Sequence, residues 1–413
     1  MSNRVVVTGI GAVSPVGNTA ADFIDNILAS KSGVAPITKF DAASTGITLA
    51  CEVKDFDPGK RLSKRDYKRL DAYAQYGLYS AVEAMEQAGL HANENYQPED
   101  LGVIYGTGIG GIQTIEEQTK KAYLKGPKRV SPLFVPKSIS NMAAGNISMY
   151  FDARNTSQTI VNACASGTNA IGDAFDYIKA GRAKVMITGG TEAAVTTMGI
   201  AGFAALTALS TQTDPEQASL PFDEDRNGFV MGEGAGTLVL EDYEHAKARG
   251  AKILAELVGY GTTSDAYHLT APEPDGRGAI SAMRQALAEG HIDLTELDYV
   301  NAHGTATHAN DVSEAGAIEK LFADNDHLKT SSIKGMVGHS LGAAGGLEGV
   351  ALVGALQHGQ MPVNVGLHHQ DPEIHIQLVN EENNRGPLKT AISNSFGFGG
   401  HNAVIAMRKW EDA

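Results

Sequence analysis

Three side chains capable of nucleophilic and proton-transfer chemistry stand at small-residue turns that follow apolar strands: Cys164, His303 and His339. Cys164 lies in Thr159-Ile-Val-Asn-Ala-Cys-Ala-Ser-Gly-Thr168, where a β-branched run ends before a helical stretch. We therefore predict a strand, a sharp turn that carries the thiol, and a helix. A helix N-terminus beside the sulfur would lower the thiol pKa and favour the thiolate. Buried free cysteines are also common as inert core residues, and this segment alone leaves that alternative open.

His303 and His339 are candidate catalytic residues because of their position in the chain, not because histidine is rare in it. The chain has 13 histidines, so two that lie near glycines mean little by count. His303 and His339 fall on elements of the second half of the chain that match elements of the first half, which directs both toward Cys164. A thiol with two imidazoles suits acyl transfer through a covalent thioester.

Metal and nucleotide sites are the competing interpretations. The chain has no His-x-Glu, Cys-x-x-Cys or His-Glu-x-x-His spacing, and we expect no metal. The glycine cluster Gly106-Thr-Gly-Ile-Gly-Gly111 fits neither a P-loop nor a plausible dinucleotide fingerprint. We therefore predict no cofactor.

Strand-like and helical patterns alternate along the chain. Strands are predicted at residues 4–10, 101–105 and 184–188, and helices at residues 20–28 and 63–90, the latter capped by Ser63. This alternation predicts an α/β fold with buried, largely parallel strands.

The order of elements repeats in the second half. Tyr299-Val-Asn-Ala-His-Gly-Thr305 resembles Val103-Ile-Tyr-Gly-Thr-Gly108, and the segment from Thr330 to Gly345 resembles the Cys164 turn. Ala391-Ile-Ser-Asn-Ser-Phe-Gly-Phe-Gly-Gly400 resembles the strand that begins near Met186. We infer an internal duplication, with one half at residues 1–250 and the other at 251–413, and expect the active site where the halves meet.

Composition excludes several functional classes. The net charge of −15 argues against nonspecific nucleic-acid binding. Two cysteines, Cys51 and Cys164, give no disulfide framework and fit a reducing compartment, so we expect a cytoplasmic protein and a structural role for Cys51. The longest apolar stretch, Leu341 to Leu356, contains Glu348 and is too short and too polar to span a bilayer.

Two basic clusters contrast with the negative total charge. Residues 60–69 contain six basic residues and one acid, and residues 120–129 contain Lys120, Lys121, Lys125, Lys128 and Arg129. These clusters suit docking of an acidic partner. A solvated helix face is the equally simple alternative.

Several long motifs occur in the order typical of the β-ketoacyl-acyl-carrier-protein synthases. They are Asn162-Ala-Cys-Ala-Ser-Gly167, Pro221-Phe-Asp-x-x-Arg226-x-Gly-Phe-Val, Ala302-His-Gly-Thr-Ala-Thr307, Lys334-x-x-x-Gly-His339-x-x-Gly-Ala-Ala-Gly345 and Asn394-Ser-Phe-Gly-Phe-Gly-Gly400. The chain most resembles the elongating synthase II class of that family. The resemblance implies a thiolase-like α/β fold of two similar halves in five αβαβα layers, a homodimer, and acyl carrier protein as partner.

The resemblance also implies a mechanism. Cys164 would take an acyl group from acyl carrier protein, with the N–H groups of Cys164 and Phe398 as the oxyanion hole. His303 and His339 would donate hydrogen bonds to the enolate formed when malonyl-acyl carrier protein loses CO2. The carbanion would then attack the acyl thioester and give a β-ketoacyl product. Lys334 would hold the polar network near the histidines.

Further residues are assigned by the same resemblance. Ile109 and Phe203 match the acyl tunnel, and Phe398 matches a gating residue. Thr305 and Thr307 match positions that hydrogen-bond the pantetheine arm. The other positions implied in substrate binding are Thr270, Phe396 and Gly399, and those implied in carrier docking are Arg65, Lys68, Arg69, Lys128 and Arg129.

Two positions depart from the family pattern. Thr207 stands where a basic contact residue is common, so docking is expected to depend more on residues 64–69. Asn162 stands where threonine is usual, with no obvious consequence.

Individual residues of the site distinguish the elongating synthases from related proteins. A degradative thiolase needs a second catalytic cysteine near the C-terminus, and residues 394–400 contain none. Starter-type synthases pair cysteine with histidine and asparagine, whereas the third position here is His339. A noncatalytic chain-length factor would lack Cys164. A polyketide ketosynthase would use the same three residues and stays open as an alternative.

Overall fold

A ten-stranded mixed sheet forms the centre of the molecule in this computed structural model, which describes residues 3–411. The strands are β1 Val5–Val13, β2 Ala35–Pro36, β3 Leu49–Ala50, β4 Leu101–Gly106, β5 Ser157–Ile160, β6 Val185–Glu192, β7 Gly234–Asp242, β8 Ala255–Ser264, β9 Tyr299–Asn301, β10 Lys329–Ser331, β11 Thr390–Gly397 and β12 His401–Lys409. The order in the large sheet is β10-β9-β11-β12-β8-β1-β7-β6-β4-β5, and β2 and β3 form a separate short ribbon.

Thirteen α-helices within residues 3–411 accompany the strands. They are α1 Ala20–Leu28, α2 Lys64–Tyr67, α3 Ala72–Ala88, α4 Ile112–Lys125, α5 Phe134–Ser138, α6 Met142–Phe151, α7 Ser166–Lys179, α8 Thr197–Ala205, α9 Tyr243–Ala248, α10 Arg277–Glu289, α11 His308–Leu321, α12 Lys334–Val337 and α13 Ala344–His358. Among these helices, none is both long enough and apolar enough to cross a membrane.

The sheet has two matching sets of five strands. In each set, three parallel strands are followed by two antiparallel ones: β5, β4, β6, β7 and β1 in the first, and β10, β9, β11, β12 and β8 in the second. The sets join where Val5–Val7 of β1 pairs antiparallel with Ala255–Leu257 of β8. The internal duplication is therefore visible in the sheet order, and the division at residue 250 stays a prediction.

Helices complete a five-layer arrangement. Helices α7 and α13 lie between the two sets of strands, because α7 contacts both β6 and β12, and α13 contacts both β7 and β11. Helix α3 covers the outer face of the first set, and α10 covers that of the second. The predicted thiolase-like α/β fold in αβαβα layers is confirmed. Burial on both faces explains why every residue of β1 is buried.

Glycines permit close packing at the centre. A Cβ atom placed on Gly346 of α13 would lie 2.4 Å from the Gly236 carbonyl oxygen of β7 and 2.6 Å from the Gly190 nitrogen of β6. Backbones approach one another here at a distance that only a residue without Cβ allows. The abundance of glycine in the sequence therefore reflects the packing of the central helices as well as turns.

Two expectations about the elements are wrong. The strands are mixed rather than largely parallel, because β11 returns directly into β12 as a hairpin and β7 and β1 are antiparallel neighbours. The helix expected over residues 63–90 is two helices. Ser63 caps only α2, and Asp71 accepts a hydrogen bond from the Tyr73 N–H and starts α3. Asp71 is a second N-cap within the segment. The periodic apolar pattern continues across it, which is why the sequence suggested one long helix.

Candidate active site

Cys164 lies on a sharp turn between β5 and α7, as the sequence predicts. A short 3₁₀ helix, Ala163–Ala165, connects the two elements. Ala163 has φ of +48°, a left-handed conformation that is strained for a residue with a Cβ atom. The Ser166 hydroxyl donates to the Ala163 carbonyl oxygen at 2.6 Å and accepts from the Asn162 N–H at 2.8 Å, which holds this turn. The thiol is thereby fixed at the N-terminal end of a helix.

His339 is the direct partner of the thiol. Its Nε2 lies 2.9 Å from the Cys164 Sγ. The backbone of His339 is held on both sides, since its N–H donates to the Val230 carbonyl at 2.7 Å and its carbonyl accepts from the Gly232 N–H at 2.9 Å. The Phe229 ring packs edge-on against the imidazole, with 5.1 Å between centroids. Ring and backbone are both fixed relative to the sulfur.

His303 completes the group. Its ring stands nearly perpendicular to that of His339, with 5.2 Å between centroids. The backbone N–H groups of His303 and Gly304 each donate to the buried Glu314 carboxylate at 2.8 Å. The side chains that the sequence placed at matching turns of the two halves thus meet at one point.

Burial sets the protonation states of the three groups. It raises the pKa of the Cys164 thiol to about 12, and it lowers the pKa values of His303 and His339 well below their ordinary value, with Lys334 lowering them further. The pKa of the Cys164 thiol therefore lies above its ordinary value, opposite to the direction expected from a helix end, and loss of hydration on burial is the largest cause. At neutral pH the site holds a neutral thiol beside two neutral imidazoles.

Lys334 forms a buried ion pair behind the histidines. Its Nζ donates to Glu348, and both side chains are almost wholly inaccessible. The second Glu348 oxygen accepts from the Ser395 hydroxyl at 3.2 Å, and that hydroxyl lies 2.7 Å from the Thr168 hydroxyl. Lys334 thus belongs to a polar network that joins α13, β11 and α7.

The thiol and the two imidazoles also have the composition of a zinc site. Their ligand atoms lie within 4.8 Å of one another. Two ligands of a tetrahedral zinc, one nitrogen and one sulfur, stand about 3.5 Å apart given the usual bond lengths. The 2.9 Å between His339 Nε2 and Cys164 Sγ is shorter and matches a hydrogen bond. The geometry fits acid–base chemistry better than metal coordination.

A cavity of about 290 Å³ leads to the thiol. The predicted residues that line it are Cys164, Phe203, Thr270, His303, Thr305, Thr307, His339, Phe396 and Phe398. Ile109 lies outside this lining and packs in the apolar cluster that contains Cys164, Phe203 and Leu341. Gly399 and Lys334 also lie outside it: the Gly399 N–H donates to the Leu269 carbonyl at 2.8 Å, and Lys334 stands behind the histidines.

The backbone around Phe398 approaches the thiol. A Cβ atom on Gly397 would lie 3.2 Å from the Cys164 nitrogen. Within residues 3–411, neither the Cys164 N–H nor the Phe398 N–H donates to a backbone acceptor. The backbones that carry these two N–H groups thus lie side by side at the cavity.

The predicted docking residues lie on the surface. Arg65, Lys68 and Arg69 are exposed on and just after α2, and Lys128 and Arg129 are exposed after α4. Thr207, the departure from the basic pattern, lines the cavity and is exposed.

Four residues of the site were missed from the sequence: Glu192, Phe229, Glu314 and Glu348. A signal existed for Glu348, since it is the single charged residue in the apolar stretch 341–356. Glu314 and Glu192 gave no such signal, because an acidic residue in a helix or at a strand end is ordinary. Their role depends on backbone N–H groups from other segments.

Comparisons with known proteins agree with this geometry. The model of the β-ketoacyl synthase N-terminal domain matches residues 2–246, and that of the C-terminal domain matches residues 254–368. The chain belongs to the β-ketoacyl synthase family. It is a condensing acyltransferase, as the resemblance of its motifs predicted.

Similar proteins cover the whole of this β-ketoacyl synthase. The 3-oxoacyl-[acyl-carrier-protein] synthase 2 of Synechocystis sp. is 45% identical over 99% of this chain and 98% of its own length. That of Staphylococcus aureus strain COL is 46% identical over 99% of both. A solved type II polyketide ketosynthase, in complex with its acyl-carrier protein, is 32% identical with a TM-score of 0.91 over 100% of both chains.

Proposed function

We propose that this β-ketoacyl synthase joins an acyl group held on Cys164 to the two-carbon unit left when malonyl-acyl carrier protein loses CO2, and so elongates fatty acids. The observation that carries the proposal is the contact between Cys164 Sγ and His339 Nε2 at 2.9 Å, with His303 against the same imidazole. A thiol with one histidine would serve hydrolysis or simple transfer. A second histidine facing the same cavity supplies the donor that an enolate needs.

The first step loads the thiol. Neutral His339 accepts the Cys164 proton at Nε2 while the sulfur attacks the acyl thioester, and the proton passes to the departing thiolate of the carrier. The Cys164 and Phe398 N–H groups stabilise the tetrahedral oxyanion. Loss of one such donor typically raises the barrier by about 3–4 kcal/mol. The contact between Cys164 Sγ and His339 Nε2 lets proton removal accompany the attack.

The second step produces the nucleophile. Once the sulfur carries the acyl chain it has no proton to give, and His339 Nε2 can carry hydrogen instead. His303 and His339 then donate hydrogen bonds to the thioester oxygen as CO2 leaves and negative charge develops there. Their depressed pKa values keep both rings neutral. The carbanion attacks the acyl thioester, Cys164 leaves as thiolate and takes up a proton, and the β-ketoacyl product stays on the carrier.

Fatty-acid elongation is favoured over polyketide synthesis by the degree of similarity. The relatives named 3-oxoacyl-[acyl-carrier-protein] synthase 2 are 45–46% identical, whereas the polyketide ketosynthase is 32% identical. The sheet, cavity and catalytic residues are compatible with either pathway. We therefore assign the chain to fatty-acid synthesis on sequence similarity.

We assign acyl carrier protein as the partner that delivers both substrates. That polyketide ketosynthase was solved with its own acyl-carrier protein. In this chain, Arg65, Lys68 and Arg69 present exposed positive charge, and Lys128 and Arg129 add to it. The protein as a whole has a net charge of −15, so these basic clusters stand out from the rest of its surface. Binding of an acidic carrier would explain them.

We also propose a homodimer, because one edge of the sheet is open. At the far edge, Thr330 of β10 bonds to Gln377 and Val379, which covers that strand. Within residues 3–411, β5 at the other edge pairs only with β4, and Ser157 and Gln158 are exposed. Apolar side chains near this edge are 39–69% exposed: Leu133, Val135, Ile139, Met149, Tyr150 and Val161. An open edge beside exposed apolar residues is typical of an interface.

The direct test is formation of the acyl-enzyme. Wild-type protein and Cys164→Ala are incubated with a long-chain acyl-acyl carrier protein and weighed intact. We expect the mass of one acyl group on the wild type and none on the variant. No gain on wild type, or equal gain on Cys164→Ala, would show that Cys164 is not the acyl carrier.

A further inference from the structure

Glu192, the last residue of β6, is a buried carboxylate close to Cys164 that the proposed mechanism does not use. Its side chain has no solvent exposure. One oxygen accepts from the Thr107 hydroxyl and the Ile109 N–H at 3.2 Å and from the Gly110 N–H at 3.3 Å. The other accepts from the Gly108 N–H at 2.7 Å and the Gly342 N–H at 3.1 Å. All five donors are uncharged, and four are backbone N–H groups.

These donors belong to two loops from different halves of the chain. Residues 107–111 connect β4 to α4 and carry Ile109. Gly342 follows His339 by three residues and is preceded by Leu341, which lines the cavity. Ile109 and Leu341 pack in the same apolar cluster as Cys164. The carboxylate therefore joins two loops that both contact the surroundings of the thiol.

Steric constraints reinforce this junction. A Cβ atom on Gly342 would lie 2.1 Å from the Gly108 nitrogen, and one on Gly190 would lie 2.2 Å from the Gly342 carbonyl oxygen. The two loops and β6 approach one another as closely as bare backbone permits. Backbone N–H groups that converge at such a point need an acceptor, because a buried donor without a partner is destabilising. Glu192 supplies it for all of them.

We propose that Glu192 is a positioning residue whose carboxylate fixes the Ile109 loop and the Leu341 loop on either side of Cys164, and so determines which acyl chains the thiol accepts. The inference rests on the proposed acyl transfer to Cys164. Burial raises the pKa of Glu192 to about 7, and its negative charge contributes to the high pKa of the Cys164 thiol. A neutral replacement therefore has two separate effects, one on the loops and one on the thiol.

Three variants separate these effects. Glu192→Gln keeps the shape but replaces one acceptor oxygen by an N–H donor. Glu192→Asp keeps the charge but is one methylene shorter, so it cannot reach both loops. Glu83→Gln is the matched control, because Glu83 also accepts two backbone N–H groups, those of Ala12 and Ala20 at 3.0 and 2.9 Å, on the outer face of the first set of strands.

Hydrogen–deuterium exchange of the unliganded protein tests the loops without any substrate. We expect amides of residues 108–110 and 342 to exchange at least tenfold faster in Glu192→Gln, and in at least one of the two loops in Glu192→Asp. Glu83→Gln should leave both segments at the wild-type rate. Exchange at the wild-type rate in folded Glu192→Gln overturns the proposal. If that variant does not fold, Glu192→Asp gives the same decision.

Two activity readouts complete the test. The ratio of kcat/KM for long-chain over acetyl donors should fall at least tenfold in both Glu192 variants, since a long chain on Cys164, unlike acetyl, is expected to extend into the apolar cluster that contains Ile109 and Leu341. The pH midpoint of Cys164 alkylation by iodoacetamide should move to lower pH in Glu192→Gln and stay unchanged in Glu192→Asp. An unchanged ratio overturns the specificity role. Faster exchange together with no acylation of wild type would instead refute the proposed function and leave the loop contacts intact.

Discussion

The two histidines around Cys164 occupy unequal positions, which should separate their roles. His339 Nε2 contacts the sulfur at 2.9 Å, whereas a ring nitrogen of His303 lies within 4.8 Å of the sulfur and is not its hydrogen-bond partner. His303 is therefore placed to serve the malonyl group alone, and His339 to serve both substrates. A perpendicular pair of neutral imidazoles gives two donors that converge on one oxygen without the repulsion of two cations.

Substitution of each histidine should reveal this division. We expect His303→Ala and His339→Ala each to slow malonyl decarboxylation by at least a hundredfold, because each removes a donor to the enolate. His303→Ala should keep acyl transfer to Cys164 near the wild-type rate, and His339→Ala should slow it more. Single-turnover acylation by mass spectrometry and release of labelled CO2 measure the two steps. Decarboxylation at the wild-type rate in both variants would contradict the assignment.

At the scale of elements, helix α2 carries exposed positive charge that we propose docks the carrier. It is a single turn, with Arg65, Lys68 and Arg69 exposed on or directly after it. These side chains contribute nothing to the buried core. A change in their charge should therefore affect carrier binding and leave the fold intact.

We expect Lys68→Glu with Arg69→Glu to raise the KM for acyl carrier protein substrates at least tenfold and to leave small acyl thioesters within twofold of wild type. The matched control is Lys252→Glu with Arg284→Glu, which makes the same charge change at two exposed positions of the second half. Steady-state kinetics with both substrate types provide the measurement. An equal rise in KM for both substrate types would show that the effect is not docking.

The glycines of the helices give a second prediction at this scale: the same substitution, glycine to alanine, should lower stability in α13 and raise it in α11. Gly346→Ala in α13 would place a methyl group against β6 and β7, so we expect a loss of about 1–3 kcal/mol or more in the free energy of unfolding. Gly316→Ala in α11 meets nothing within 4 Å and should gain about 0.5–1 kcal/mol, because alanine favours a helix. Denaturant unfolding compares the two. Equal effects would show that close packing of α13 is not the reason for glycine at position 346.

At the scale of the whole molecule, the two edges of the sheet differ, although the two sets of strands match. One edge is closed by residues 377–379 of the chain itself, whereas among residues 3–411 β5 at the other edge pairs only with β4. Light scattering after size exclusion should give twice the chain mass for wild type. Val161→Glu with Met149→Glu should shift the protein toward the monomer, whereas Tyr267→Glu, at an exposed aromatic in the second half, should not. A monomeric wild type would refute the homodimer.

Much of the fold was predictable because its signals are local. The elbow at Cys164, helix α1 and the repeated order of strands follow from hydrophobic pattern and small residues in one segment each. The break between α2 and α3 and the antiparallel strands were missed, since a second capping aspartate and a hairpin return leave the hydrophobic pattern almost unchanged.

The sequence by itself determined the chemical groups of this protein: a thiol at a turn before a helix, two histidines at matching turns, a lysine within a family motif and two basic clusters. The tertiary structure alone decided their state. Burial raises the pKa of the Cys164 thiol, and His339 Nε2 is the ring nitrogen in contact with its sulfur. Glu192 also joins two loops that are far apart in sequence, residues 108–110 and residue 342. The pKa of a buried group, and the contacts of a buried carboxylate such as Glu192, depend on which distant segments pack around it and remove its water. No single segment of the sequence contains that information.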